Sequence, residues 1–108
     1  MKEIQKEAYS LINELYIVFQ GMSQPVHYDT LKFQENIQEI LTVLKNSKSV
    51  DNVLLIALEK FYQRTSRLIG ISSLEVSEEL KKAWRRYDQF HYRQVKPNLK
   101  LYGPVGML

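Results

Sequence analysis

Apolar residues recur at the spacing of one helix face in four separate stretches of this chain, and no stretch of useful length alternates with the period of a strand. The first run is Ile4, Ala8, Leu11, Ile12, Leu15, Val18 and Phe19. Steps of three and four residues keep side chains on one side of a helix with 3.6 residues per turn. The second run is Phe33, Ile37, Ile40, Leu41 and Leu44, and the third is Val50, Leu54, Ala57, Leu58, Phe61, Thr65 and Leu68. The fourth is Val76, Leu80, Ala83, Trp84 and Tyr87, completed by Phe90 or His91. Helices are therefore expected over about residues 2–20, 29–45, 50–69 and 74–93, each with a stripe that another helix must cover.

The residues between the runs set the expected boundaries. Gly21 is suited to end the first helix in the left-handed conformation that glycine adopts cheaply. Pro25 biases Gln24 away from helix within the connector that follows. Asp29 or Thr30 can cap the second helix, and Asn46-Ser47-Lys48-Ser49 reads as a polar turn. Gly70 is placed to end the third helix. Ser72 and Glu75 then have capping-box spacing, with Glu78 and Glu79 following where negative charge suits a helix N-terminus. Short turns make sequential helices antiparallel neighbours, so the expected fold is all-α: an antiparallel up-down four-helix bundle, one domain over residues 1–108.

Residues 94–108 are expected to form an irregular tail, because they hold two prolines and two glycines. Val95, Leu99, Leu101, Tyr102, Val105, Met107 and Leu108 make this stretch too apolar for a solvating disordered segment.

Composition excludes several chemistries. There is no cysteine, which removes disulfides, thiolate nucleophiles and cysteine metal ligands. No Glu-x-x-His pair, Gly-x-Ser-x-Gly elbow, phosphate loop or dinucleotide fingerprint occurs. Asp88 and His91 share a helical face at i, i+3, but one such pair does not make a metal site. Arg64, Arg67, Arg85 and Arg86 are the arginines a small helical enzyme could turn inward; Arg64 and Arg67 flank the apolar stripe of the third helix and read as surface side chains with apolar stems laid along the bundle. No catalytic residue, metal or cofactor is expected. The N-terminus has charges and no apolar secretory core, and no run reaches membrane-span length, so a cytoplasmic protein is expected.

Charge is unevenly distributed. Residues 1–54 carry five Lys/Arg against seven Asp/Glu, whereas residues 55–108 carry ten against five. Lys81, Lys82, Arg85, Arg86, Arg93, Lys96 and Lys100 fall within twenty residues, interleaved with Trp84, Tyr87, Phe90, His91, Tyr92 and Tyr102. Cations attract an acidic partner and aromatics supply rigid contact area. Trp84 and Tyr87 have the spacing of core residues. Lys81, Lys82, Arg85, Arg86, Tyr92, Arg93, Leu101 and Tyr102 are the candidate partner-binding residues. An anionic membrane face, an acidic protein and nucleic acid would each fit this charge, although no helix-turn-helix glycine turn or RNA-binding motif is present.

Three stretches carry a family resemblance. The Asn36-Ile37-Gln38-Glu39-Ile40-Leu41 segment is similar to the second helix of the immunity proteins of pediocin-like (class IIa) bacteriocins. Ser73-Leu74-Glu75-Val76-Ser77-Glu78-Glu79-Leu80 resembles the start of their fourth helix, and Tyr102-Gly103 resembles a pair near their C-terminus. The likeness is closest to the enterocin A immunity type. It extends to chain length, lack of cysteine and basic charge, but this chain continues past Tyr-Gly as Pro104-Val105-Gly106-Met107-Leu108. The resemblance implies a cytoplasmic four-helix protein, partly associated with the inner membrane face, that protects a bacteriocin producer from its own pore-forming peptide. It further implies action at the mannose phosphotransferase permease carrying bound bacteriocin, with specificity in the C-terminal half. The alternative function is that of a small helical regulator binding nucleic acid or a cytosolic protein through its basic fourth helix.

Overall fold

The computed structural model describes residues 2–21, 28–48, 51–70 and 77–99. They form four helices: α1 (Lys2–Gln20), α2 (Tyr28–Asn46), α3 (Asn52–Gly70) and α4 (Glu78–Phe90). A wide π-type turn, His91–Val95, and a tight 3-10 turn, Lys96–Asn98, continue α4. The chain is an all-α four-helix bundle, and the described residues contain no strand.

The stripes explain the packing. Ala8, Ile12, Leu15 and Phe19 of α1 step by four, three and four residues, and Phe33, Ile37, Ile40 and Leu44 of α2 repeat those steps. Leu54, Leu55, Leu58 and Phe61 of α3 meet Leu80, Ala83, Tyr87 and Phe90 of α4 in the same core. All of these side chains are buried. Fully burying a leucine-sized side chain contributes roughly 1.5–3 kcal/mol, so the shared core is the main support of the bundle.

Side-chain contacts fix the directions. Phe19 lies against Phe33 with centroids 4.7 Å apart, whereas Gln5 reaches Leu44 at the opposite end, so α1 and α2 run antiparallel. Glu39 of α2 faces Arg64 of α3 at 3.6 Å. Tyr62 and Glu59 of α3 reach Asp88 and His91 respectively, which makes α3 and α4 antiparallel. Glu14 and Glu7 of α1 pair with Arg86 and Arg93, closing the ring.

Several boundaries differ from expectation. Asp29 and Thr30 lie inside the first turn of α2 rather than at its cap, and Thr30 is buried. α3 starts at Asn52, where Asp51 Oδ1 accepts from the Leu54 amide at 3.0 Å, because aspartate offers a cap that valine lacks. Its expected first residue, Val50, is outside the described residues. α4 starts at Glu78 with Ser77 as its cap, the hydroxyl accepting from the Leu80 amide at 3.1 Å. The Ser72–Glu75 box and Val76 fall outside the described residues. Gly21 hydrogen-bonds back to Ile17 and Val18 without entering the left-handed region.

The expected tail also begins later. Residues 94–98 remain helical, although Pro97 has no N–H and its ring crowds the carbonyl four residues earlier. The turn widens just before Pro97, and the proline then sits at the start of the tight turn, where its missing N–H costs little. Val95 is buried, and Leu99 packs against the core.

Candidate partner-binding surface on the fourth helix

Leu80, Ala83, Tyr87 and Phe90 turn one face of α4 into the bundle, which leaves Lys81, Lys82, Arg85, Arg86 and Gln89 exposed. Seven aromatic and imidazole rings hold this helix against α3. Phe61 meets Tyr87 edge-on at 5.5 Å, and Tyr62 stacks on Trp84 at 5.5 Å and on His91 at 4.0 Å, the latter pair within 6° of parallel. Tyr92 meets both Tyr62 and His91 edge-on, and Phe90 packs beside Tyr87. Tyr87 is fully buried, as its spacing requires, while Trp84 is partly buried at the seam.

The expected binding cations divide into three groups. Arg86 donates through both Nε and Nη2 to the Glu14 carboxylate, and Arg93 Nη2 reaches Glu7 Oε2 at 2.5 Å. These two arginines therefore tie α4 to α1. Lys81 pairs with Glu78 of its own helix at 3.5 Å. Among the described residues, Lys82 and Arg85 have no ion-pair partner. Spaced by three residues, they share the outward face of α4, and Tyr92 stands 57% exposed further along the same helix. Leu101 and Tyr102 lie outside the described residues.

The Asp88–His91 pair is committed elsewhere. Tyr62 Oη donates to Asp88 Oδ1 at 2.5 Å, and His91 Nε2 lies 2.8 Å from Glu59 Oε1. The fourth stripe was expected to end on Phe90 or His91; both are fully buried, because the wide turn keeps both facing inward. Burial drives the His91 pKa below its ordinary value, against the opposing pull of Glu59. Burial works upward on Glu59, but the hydrogen bond from Gln63 and the charges of His91 and Lys96 bring its carboxyl below the usual range. Burial and the Asp88 carboxylate raise the Tyr62 phenol. No group of three or more potential metal ligands is assembled among the described residues.

Arg64, Arg67, Arg85 and Arg86 are all exposed and do not converge on a pocket. Glu59, Tyr62 and Gln63 of α3 escaped sequence reasoning. The partners of Tyr62 and Glu59 on the fourth helix and its extension lie 26 and 32 residues away, Gln63 bonds to Glu59 itself, and only the i, i+3 and i, i+4 spacing marks the three as sharing a helix surface. No helix is long and apolar enough to cross a membrane among the described residues. Comparison with known protein families, with curated proteins and with solved structures finds no match.

Proposed function

We propose that this protein is a bacteriocin immunity protein of the pediocin-like type, binding the permease–bacteriocin complex from the cytoplasmic side. The observation that carries this reading is the outward face of α4. Lys82 and Arg85 stand there without ion-pair partners among the described residues, on the same helix as the exposed ring of Tyr92. The resemblance of residues 36–41, 73–80 and 102–103 supplies the identity of the partner, and a four-helix frame is what that resemblance implies.

The physical roles follow from the placement. Lys82, Arg85 and Lys81 steer α4 toward an acidic loop of the receptor or the anionic inner leaflet. Tyr92 contributes a large, rigid contact surface at little entropic cost. Arg86 and Arg93, held by Glu14 and Glu7, fix the helix rather than reach outward. Leu101 and Tyr102 supply the specific contacts that the resemblance assigns to the C-terminal segment.

Affinity capture tests the reading. The tagged protein, expressed in a sensitive Gram-positive strain, should recover the mannose phosphotransferase permease only after bacteriocin is added. Capture that ignores bacteriocin, or recovery of nucleic acid with a steep salt dependence, would overturn it and favour the regulatory alternative.

A further inference from the structure

Antiparallel packing of α1 and α2 leaves a groove of about 540 Å³ at the end of the bundle where α1 begins and α2 ends. Gln5, Lys6 and Tyr9 line one side, and Leu44, Lys45 and Lys48 line the other. Its surface is mostly apolar: Leu44 belongs to the core and Tyr9 is 38% exposed. A volume of this size is in the range of small-molecule sites.

Among the described residues, three lysines and no carboxylate line this groove. Along α1 the neighbouring acids do not neutralise them: Glu7 is held by Arg93, and Glu3 is outside the lining. Among the described residues, Lys6, Lys45 and Lys48 have no ion-pair partner.

Lysines at the end of a helix ordinarily serve its free carbonyls. At Val43, Leu44 and Ser47 other groups already do so. Gln5 Nε2 donates to Leu44 O at 2.6 Å and to Ser47 O at 2.8 Å, and Ser47 Oγ donates to Val43 O at 2.7 Å. The lysines therefore stand beside a groove in which Tyr9 supplies exposed apolar surface. A ligand with a negative head and an apolar body pairs with the first and covers the second.

We propose that this groove is a binding site for a small anionic amphiphile, a single apolar chain with a phosphate head taken up from solution. The site goes beyond the immunity reading and uses none of the α4 surface. The head sits among Lys6, Lys45 and Lys48, and the chain lies against the exposed face of Tyr9.

The test is titration of isotope-labelled protein with dodecyl phosphate below its micelle threshold, followed by NMR. Saturable one-to-one binding is expected, with shifts centred on Lys6, Tyr9, Ser10 and Lys45. The K45Q/K48Q variant, which removes two of the three charges, should bind about tenfold or more weakly, with an unchanged circular dichroism spectrum. Should that variant misfold, K6Q gives the same reading. Inorganic phosphate and a cationic amphiphile of equal chain length should not displace the probe. The proposal is overturned by wild-type affinity in the lysine variants, by shifts centred on Lys82 and Arg85, or by equal binding of the cationic amphiphile. Binding that appears only on phosphatidylglycerol vesicles would assign the lysines to a membrane surface and overturn the soluble ligand.

Discussion

His91 Nε2 donates to Glu59 Oε1 across 2.8 Å, joining the end of α4 to the middle of α3. His91 has no exposed surface, and its Nδ1 meets no hydrogen-bond partner among the described residues. The neutral ring therefore carries its proton on Nε2. A second proton on Nδ1 would bury an N–H with nothing to receive it, which is the structural counterpart of the depressed pKa. Lys96 Nζ approaches the other Glu59 oxygen at 3.4 Å and adds to that depression.

This link makes the bundle acid-sensitive. A histidine whose folded pKa lies below its unfolded value near 6.5 binds fewer protons in the native state, so its contribution is intact at neutral pH. That contribution falls as pH drops below about 6.5, with a slope of at most about 1.4 kcal/mol per pH unit. Glu59, also depressed, loses its contribution as pH falls below its ordinary value of 4.5. Urea unfolding between about pH 7.5 and 5 should therefore show declining stability, and H91Q should flatten that decline. A decline of equal slope in H91Q would place the titrating group elsewhere.

Tyr87 offers a test of the core. Its ring is fully buried between Phe61 and Phe90, yet its hydroxyl has no hydrogen-bond partner among the described residues. Burial raises the phenol pKa, so the group stays neutral. Y87F keeps the ring and removes the unpaired hydroxyl, and should raise unfolding free energy by about 1 kcal/mol. Y87A should instead cost roughly 3–5 kcal/mol, through lost contacts and a cavity. Denaturant midpoints at constant slope would measure both.

Gly21 predicts a small gain. It accepts a β-carbon at ordinary contact distance, 3.6 Å from the carbonyl oxygens of Ile17 and Val18, and its backbone is outside the left-handed region. G21A should stabilise the protein by about 0.4–1 kcal/mol by restricting the unfolded chain. A loss of stability would show that the turn after α1 needs glycine's freedom.

The same residue shows how far the sequence is legible. Periodicity located all four helices because each stripe repeats over several turns and has one way to be buried. Ends were less legible, since Gly21, Thr30, Asp51 and Ser77 each admit more than one local use. The prolines and glycines of residues 94–108 point to an irregular tail from residue 94, but a widened turn accommodates Pro97 and extends the helical path to Asn98. The basic character of α4 was plain in the sequence. The attachment of Arg86 and Arg93 to α1 was not, because a cation seventy or more residues from its carboxylate leaves no local pattern.

For the surface of α4, charge reversal separates function from stability. The K82E/R85E variant changes two exposed groups that hold no ion pair among the described residues, so its circular dichroism spectrum should match the parent and its stability should fall by only about 0.5–1 kcal/mol, from the new carboxylates facing Glu78, Glu79 and Asp88 on the same helix. Protection against bacteriocin should fall about tenfold or more, the effect of losing one or two steering contacts. Unchanged protection would remove Lys82 and Arg85 from the interface.

Removing residues 100–108 addresses the C-terminal segment while keeping Leu99, which packs against the core. The truncated chain should unfold cooperatively and give no protection. Retained protection would take Leu101 and Tyr102 out of the recognition surface.

The most direct measurement is survival. The intact protein, expressed in a sensitive Gram-positive strain, is challenged with a panel of pediocin-like bacteriocins. Survival against one or a few, with full sensitivity to the rest, is the predicted result. Sensitivity to the whole panel at confirmed expression would contradict the immunity reading.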